Sequence, residues 1–186
     1  MRIIAGQYRS RPLRSLRGLD IRPTSDRLRE TLFNVLTAGN PDALTGSTWL
    51  DLFAGTGAVG IEALSRGAAR VMFVEKSAAA VSVICQNLAS LAITGGFEIV
   101  SASVARALQR SYADPLDFIF LDPPYRDTDA YRTTLEVLAR STAVGDSTVV
   151  IAEHDKKFEP GEAFAGLVRF RKLPQGDAAL SFYKLG

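Results

Sequence analysis

The chain has 186 residues, which suits one domain with a sizeable hydrophobic core, and its composition is ordinary for a soluble globular protein. One cysteine and one histidine exclude an internal disulfide and argue against a zinc site of Cys and His ligands, so we expect no metal. Because the sequence has no apolar run of signal-peptide or membrane-spanning length, we expect a cytoplasmic protein.

Positive charge is concentrated at the start of the chain. Residues 1–30 hold eight arginines and three acidic residues, a net charge of +5, which leaves −3 for the rest of the chain. A basic end on a mildly acidic body favours a polyanionic partner over a merely solvated arm. The use of arginine alone, without lysine, favours bidentate contact with phosphates.

The first predicted elements are an extended arm and a helix. Residues 1–22 indicate an arm or hairpin, with Ile3 and Ile4 in one candidate strand and residues 12–16 in the other. Thr24, Ser25 and Asp26 follow Pro23 and form a typical helix start. Apolar residues then recur at helical spacing, which predicts a helix over 24–38.

From residue 48 onward, predicted strands alternate with predicted helices. The strands are 49–53, 71–74, 97–100, 117–121 and 148–152, and the helices are 59–66, 78–91, 104–110 and 129–140. This alternation predicts βαβ units and a parallel sheet covered by helices on both faces. The tail differs, because segments 167–173 and 180–185 predict an antiparallel hairpin without a helix. We therefore expect a Rossmann-like α/β fold in one domain spanning 1–186.

A glycine-rich loop follows the first predicted strand. Residues 51–60 read Asp-Leu-Phe-Ala-Gly-Thr-Gly-Ala-Val-Gly, and Gly55 to Gly60 match the pattern G-x-G-x-x-G. Glycines allow the backbone to turn tightly and to approach a ligand closely. A plain strand-to-helix turn is the alternative. The position after the first strand of an α/β sheet favours a nucleotide-like ligand.

Two ligands are compatible with this loop. A dinucleotide would place its pyrophosphate at the helix N-terminus and its ribose on an acidic residue about 20 positions further on, where Glu75 stands. S-adenosylmethionine also has a ribose, so Glu75 fits both ligands. Asp51 discriminates between them, because a carboxylate there would repel a pyrophosphate and attract the ammonium group of methionine. The sequence therefore favours S-adenosylmethionine.

The tetrapeptide Asp122-Pro123-Pro124-Tyr125 follows the fourth predicted strand, at the same edge of the sheet. An exocyclic amine of a nucleic-acid base is a poor nucleophile, because its lone pair is delocalised into the ring. The Asp122 carboxylate and the Pro123 carbonyl can accept the amine hydrogens and free that lone pair. The prolines stiffen the loop, and Tyr125 offers an aromatic face for the base. A Pro-Pro turn ending a strand is the alternative, but the flanking Asp and Tyr favour methyl transfer.

Three further segments carry a resemblance to a known family. Residues 2–6 (RIIAG), 22–34 (RPTSDRLRETLFN) and 62–68 (EALSRGA) are similar to the RsmD family. Enzymes of that family use S-adenosylmethionine to methylate the exocyclic N2 amine of one guanine in bacterial 16S rRNA. The resemblance runs through the C-terminal hairpin and implies a seven-stranded class I methyltransferase sheet whose last strand is antiparallel.

The resemblance also implies roles for individual residues. The tetrad 122–125 would hold the base, and the loop after the third strand would flank the adenine ring of the cofactor. That loop reads Ser101-Ala102-Ser103 here, whereas related enzymes often carry Asp or Asn, so the chain departs from the family pattern. The cofactor-binding residues would be Asp51, Phe53, Gly55, Gly57, Glu75, Ala102 and Ser103.

For the RNA, the resemblance points to the arm and the first helix as an RNA-facing extension. The candidate contacts are Arg9, Arg11, Arg14, Thr24 and Arg27, with a helix cap and a solvated charge as the alternatives for the last two. We expect 16S rRNA or a small-subunit assembly particle as the partner, and a monomeric enzyme.

Three other functions remain as alternatives. The tetrad fits an adenine N6-methyltransferase acting on DNA or RNA equally well, because adenine offers the same kind of amine. A nicotinamide-dependent oxidoreductase fits the glycine loop but gives the tetrad no use. An inactive RNA-binding domain would be expected to have lost Asp122 or a loop glycine, and both are present.

Overall fold

Eight strands form a single sheet in the computed structural model, which describes residues 1–16, 25–124 and 126–186. The strands are β1 Thr48–Leu52, β2 Arg70–Glu75, β3 Phe97–Ser101, β4 Phe118–Leu121, β5 Val149–Asp155, β6 Ala163–Phe164, β7 Leu167–Gln175 and β8 Ala178–Leu185. Their order across the sheet is β3-β2-β1-β4-β5-β8-β7-β6. The first five run parallel, and β8, β7 and β6 pair antiparallel. The chain order reverses between β1 and β4, where open α/β sheets bind ligands.

Helices cover both faces of this sheet. They are α1 Asp26–Leu36, α2 Ala58–Ser65, α3 Ala78–Ser90, α4 Val104–Ala107 and α5 Thr128–Leu138. Side chains of α1, α2 and α3 join one hydrophobic core, and those of α4 and α5 join the other. On the first face Trp49 lies between Phe33 and Phe118, with ring centroids 5.5 and 4.7 Å away. The α/β architecture predicted from the alternating pattern is confirmed.

The sequence also indicated the start of α1 and the antiparallel tail correctly. Ser25 caps α1, because its hydroxyl oxygen accepts a hydrogen bond from the backbone N–H of Leu28 at 3.1 Å. At the tail, Gly176 turns the chain between β7 and β8 with a φ of +64°. Of the described helices, none is long and apolar enough to cross a membrane.

The structure corrects three expectations. The described sheet has eight strands instead of seven, because Ala163–Phe164 adds a two-residue edge strand. The fourth helix is shorter than expected and ends at Ala107. A free cysteine in an apolar helical stretch is expected to be buried, but Cys85 is exposed on α3.

The N-terminal arm pairs more briefly than a regular hairpin. One antiparallel bridge joins Arg2 and Pro12, and the arm also hydrogen-bonds to α2 and α3. The Glu62 carboxylate accepts the backbone N–H groups of Ile4 and Ala5 at 2.8 and 3.0 Å. The arm is therefore held to α2 through its backbone.

Candidate active site

The glycine loop joins β1 to α2 through residues with positive φ. Phe53, Gly55 and Gly57 have φ values of +59°, +55° and +76°, and Gly57 is the N-terminal cap residue of α2. A Cβ atom at Gly55 would meet only the Phe53 carbonyl oxygen, at 3.9 Å, so the loop faces open space there. A ligand can therefore approach this backbone closely.

Gly60 has a different purpose in the same motif. A Cβ atom at this position would lie 2.3 Å from Cε1 of Phe73 and 2.7 Å from Cγ1 of Val71. The third glycine of the motif therefore allows α2 to pack directly against β2.

Glu75 ends β2 and fastens the glycine loop. One carboxylate oxygen accepts the backbone N–H of Gly55 at 2.9 Å, and the other accepts that of Ser77 at 2.8 Å. Each oxygen has a second lone pair, so the half-buried carboxylate can still accept a hydroxyl hydrogen. This arrangement fits the ribose contact predicted from the spacing and also explains the shape of the loop.

Asp51 lies beneath the loop and is almost completely buried. Its Oδ2 atom accepts the backbone N–H of Gly60 at 3.0 Å, and the residue is 1% exposed. Burial raises the pKa of the Asp51 carboxyl to about 8; the Gly60 hydrogen bond opposes that rise, and the charge of Glu75 adds to it. A group with this pKa is largely neutral at pH 7 and ionises readily when a cation approaches.

The tetrad follows β4, whose pairing with β1 sets the two motifs side by side. The register pairs Leu52 with Leu121, so Asp122 lies next to the end of β1. Burial raises the pKa of Asp122 well above its usual range, and the charges of Glu153 and Asp51 raise it further. Tyr125, the predicted stacking residue, lies outside the described residues.

The Pro123 carbonyl, the second predicted acceptor, is already held by the protein. The hydroxyl group of Tyr131 donates to this oxygen at 3.2 Å, and Tyr131 itself packs against Phe158 on the α5 side of the sheet. A carbonyl oxygen has two lone pairs, so it can accept one more hydrogen. The Tyr131 hydrogen bond therefore fixes the direction of the carbonyl while leaving it able to bind an amine.

Two buried charged residues near the tetrad were missed by the sequence reasoning. Glu153 on β5 is 3% exposed and Arg29 on α1 is fully buried, and the charge of Glu153 acts on both Arg29 and Asp122. The sequence carried a signal for Glu153, which is an acidic residue directly after the apolar run of β5. Arg29 carried a weaker one, because it occupies the buried face of an amphipathic helix.

Arg29 has hydrogen-bonding capacity that the described protein does not use. Its Nη2 atom donates to the Arg2 carbonyl oxygen and, at 2.9 Å, to the Asp26 carboxylate. Its Nε and Nη1 atoms are buried without a hydrogen-bond partner among the described residues. Burial lowers the pKa of Arg29, and the charges of Asp26, Glu62 and Glu153 oppose that effect.

The residues expected to flank adenine adopt a simple helix-start geometry. The backbone N–H of Ala102 donates to the Glu75 carbonyl oxygen at 3.1 Å, which places Ala102 beside the end of β2. The Ser103 hydroxyl oxygen accepts the backbone N–H of Arg106 at 3.3 Å and caps α4. An adenine ring in this position would meet backbone and small side chains, consistent with the departure from the family pattern.

The candidate RNA contacts lie on a different part of the surface. Arg11 donates from Nη2 to the Ser90 carbonyl oxygen at 2.9 Å, and Arg14 donates from Nη1 to the Gln86 side chain at 3.0 Å, so both lie along α3. Arg9 and Arg27 are exposed. Thr24 lies outside the described residues, which end at residue 16 and resume at Ser25.

A buried amide connects the arm to the glycine loop. The Asn87 side chain accepts the backbone N–H of Arg14 at 2.8 Å and donates to the Arg14 carbonyl oxygen at 3.2 Å. The same amide nitrogen donates to the Thr56 carbonyl oxygen at 2.9 Å. The Asn87 amide thus connects the arm to the glycine loop by hydrogen bonds, although the two segments are far apart in sequence.

Comparisons with known proteins agree with this geometry. The family model described as conserved hypothetical protein 95 matches residues 1–184. The protein YlbH of Bacillus subtilis (strain 168) is 33% identical over 186 residues, covering 99% of this chain and 98% of YlbH. The Escherichia coli (strain K12) protein named ribosomal RNA small subunit methyltransferase D is 36% identical over 155 residues, covering 83% of this chain and 75% of that relative. The solved structure of the Escherichia coli protein yhhF has a TM-score of 0.82 and 34% identity, covering 100% of this chain and 97% of that chain.

Proposed function

The chain belongs to the RsmD family, whose model is described as conserved hypothetical protein 95, and from this premise we propose that it methylates the exocyclic N2 amine of a guanine in small-subunit rRNA. We propose S-adenosylmethionine as the methyl donor, because the open glycine loop, Asp51 and Glu75 fit this ligand. Membership in a family of methyltransferases argues against the nicotinamide-dependent alternative.

The observation that carries the proposal is the position of Asp122 beside the end of β1, at the switch point of the sheet. The Asp122 carboxylate and the Pro123 carbonyl form a pair of acceptors, one half-buried and the other directed by Tyr131. Such a pair can bind both hydrogens of a planar amine and make its lone pair available. Methyl transfer then depends chiefly on alignment, which a rigid Pro-Pro loop supplies.

The residues around the glycine loop fit S-adenosylmethionine. The open space at Gly55 admits a ligand against the backbone, and Glu75 can accept a ribose hydroxyl hydrogen. Asp51 can ionise when the methionine ammonium group approaches, because its pKa of about 8 lies near physiological pH. S-adenosylmethionine supplies a sulfonium-activated methyl group, so the protein needs to orient the amine more than to activate the donor.

The basic arm supports RNA as the polymer. Arg9, Arg11 and Arg14 are exposed on a segment whose backbone is fastened to α2 and α3, so they present positive charge from a fixed position. Arginine binds phosphates bidentately. The relative from Escherichia coli is named for small-subunit rRNA, which favours rRNA over DNA for this chain as well.

The decisive experiment is transfer of a labelled methyl group to small ribosomal subunits that lack the modification. We expect label in 16S rRNA, at the N2 amine of one guanine, when the modified nucleotide is mapped by mass spectrometry. Label on an adenine N6 amine would support the alternative. Comparing naked 16S rRNA with assembled particles identifies the form of the substrate. That the enzyme is a cytoplasmic monomer stays a prediction, which light scattering of the purified protein and cell fractionation can check.

A further inference from the structure

Glu153 and Asp122 occupy neighbouring positions on adjacent strands. The parallel register pairs Phe120 with Ile151 and Leu121 with Ala152, so the next position brings Asp122, which directly follows β4, beside Glu153 of β5. Paired residues of parallel strands direct their side chains to the same face of the sheet. That face is the one covered by α1, which carries Arg29.

Four other charged groups interact with this pair or with one another on the same side of the sheet. Asp51 on β1 acts on Asp122, and Arg29 on α1 acts on Glu153. Glu62 on α2 acts on Arg29 from the other side, and Asp26 bonds to Arg29 within α1. Glu153 therefore interacts electrostatically with both a buried cation and the carboxyl group of the tetrad.

We propose that Glu153 is a positioning residue whose negative charge makes Asp122 the acceptor of the proton released by the methylated amine. This inference rests on the proposed function, since it concerns the same tetrad. It gives the reaction a proton acceptor, which the tetrad pattern alone does not identify.

The electrostatics set the order of events. When a positively charged methyl donor is bound nearby, its charge favours the ionised form of Asp122, so the carboxylate can accept an amine hydrogen. The amine nitrogen forms a bond to the methyl carbon while the carbon–sulfur bond breaks, and the electron pair of that bond stays on sulfur. Positive charge thereby moves from sulfur to nitrogen.

The same charges determine where the proton goes. The N–H bond of the methylated ammonium breaks, its electron pair stays on nitrogen, and the proton moves to an Asp122 oxygen. With the sulfonium charge gone, the negative charge of Glu153 favours the protonated form of Asp122. The amine leaves neutral, and Asp122 returns the proton to solvent when the next donor binds.

Glu153→Gln tests this directly, because it removes the charge and keeps the shape. In single-turnover methylation across pH, we expect the acid limb of the rate profile to move down by at least about one pH unit, with a lower plateau rate. Glu162→Gln, which changes an exposed glutamate near β6, is the matched control and should leave the profile unchanged. An acid limb of Glu153→Gln that coincides with the wild-type limb overturns the proposal, because a merely structural residue would lower the rate without shifting the limb.

A titration of the unliganded wild-type protein decides the matter even if Glu153→Gln does not fold. Carboxyl ¹³C resonances of Asp122 and Glu153 are followed by NMR from pH 4 to pH 9. We expect Asp122 to titrate well above the usual range of an aspartate, because burial and the charges of its neighbours raise its pKa, and the Glu153 resonance to show an inflection at the same midpoint. An Asp122 midpoint in the usual range of an aspartate, or a Glu153 resonance that does not change at the Asp122 midpoint, overturns the proposal. Failure of rRNA methylation alone would refute the proposed function and leave this titration unaffected.

Discussion

Replacing Asp51 by an asparagine should make the protein more stable and make its cofactor binding weaker. The folded protein keeps Asp51 buried beneath the glycine loop, where its pKa is raised from 3.8 to about 8. A carboxyl group whose pKa is higher in the folded than in the unfolded state binds more protons when the protein is folded. Its contribution to stability is therefore present at low pH and is lost as the pH rises towards the folded value.

The size of the effect follows from the two pKa values. Between pH 5 and pH 7 the unfolded chain has released the proton and the folded protein has kept it, so Asp51 alone lowers the free energy of unfolding by about 2.6 kcal/mol over that interval. The replacement amide cannot titrate, and its oxygen can still accept the Gly60 N–H. The stability advantage of Asp51→Asn should thus grow by roughly 2–3 kcal/mol between these two pH values.

Urea denaturation of both proteins at pH 5, 6 and 7 measures this difference. Asp146→Asn, a change of an exposed aspartate in the loop before β5, is the control and should follow the wild type at each pH. A stability difference between Asp51→Asn and wild type that stays constant from pH 5 to pH 7 would show that Asp51 is not kept neutral by burial.

The same substitution should have the opposite effect on the cofactor. An asparagine side chain carries no charge for the methionine ammonium group, so we expect S-adenosylmethionine affinity at pH 8 to fall at least about tenfold, or ~1.4 kcal/mol. Isothermal titration calorimetry gives this value. Unchanged affinity would remove Asp51 from the cofactor site. Higher stability with weaker binding is the pattern expected where a carboxyl group is kept buried for ligand binding at a cost in stability.

Three further variants test the remaining parts of the site. Asp122→Ala should lower methyl transfer by more than about a hundredfold while cofactor binding by calorimetry persists, and near-normal turnover would contradict its role. Gly60→Ala should destabilise the protein by about 1–3 kcal/mol in urea, because the new Cβ would clash with side chains of β2. Combined replacement of Arg9, Arg11 and Arg14 by Gln should weaken RNA binding and reduce the slope of affinity against salt by up to about three, whereas an unchanged slope would place the RNA elsewhere.

The order of strands and helices could be predicted from the sequence because it depends on local periodicity. Apolar runs separated by amphipathic segments leave few arrangements other than a parallel sheet with helices on both faces. The glycine loop and the tetrad were predictable for the same reason, since each directly follows a buried strand. Parallel strands bring their carboxyl ends to one edge, so the two motifs had to meet.

The position at which a strand ends depends on the strands that pair with it, and local periodicity carries no information about those partners. The apolar pattern ends β5 at Ala152, but the strand continues to Asp155 because β8 pairs with it antiparallel, Glu153 opposite Leu180 and Asp155 opposite Ala178. Glu153, which lies beyond the apolar run that predicted this strand, is therefore in the sheet, buried beside Asp122. Because the predicted strand ended a few residues early, Glu153 was not identified as a residue of the site.

The sequence reasoning missed Arg29 for a related reason. Helical spacing places it among the apolar residues of α1, where a charged side chain interrupts the apolar pattern. Its burial is possible because partners come from distant parts of the chain, the Arg2 carbonyl from the arm and Glu153 from β5. Sequence reasoning on one helix cannot supply such partners.

The same partners connect the arm to the chemistry by two separate routes. One passes from the Arg2 carbonyl through a hydrogen bond to Arg29, whose charge interacts with Glu153 beside the tetrad. The other passes from Arg14 through the Asn87 amide to the glycine loop. Both routes use buried polar groups, and breaking one bond leaves an unsatisfied partner at a cost of about 1–3 kcal/mol. A displacement of the arm would therefore disturb the base-binding and cofactor-binding motifs together. The arm is best understood as part of the active-site scaffold, and its charge as an addition to that role.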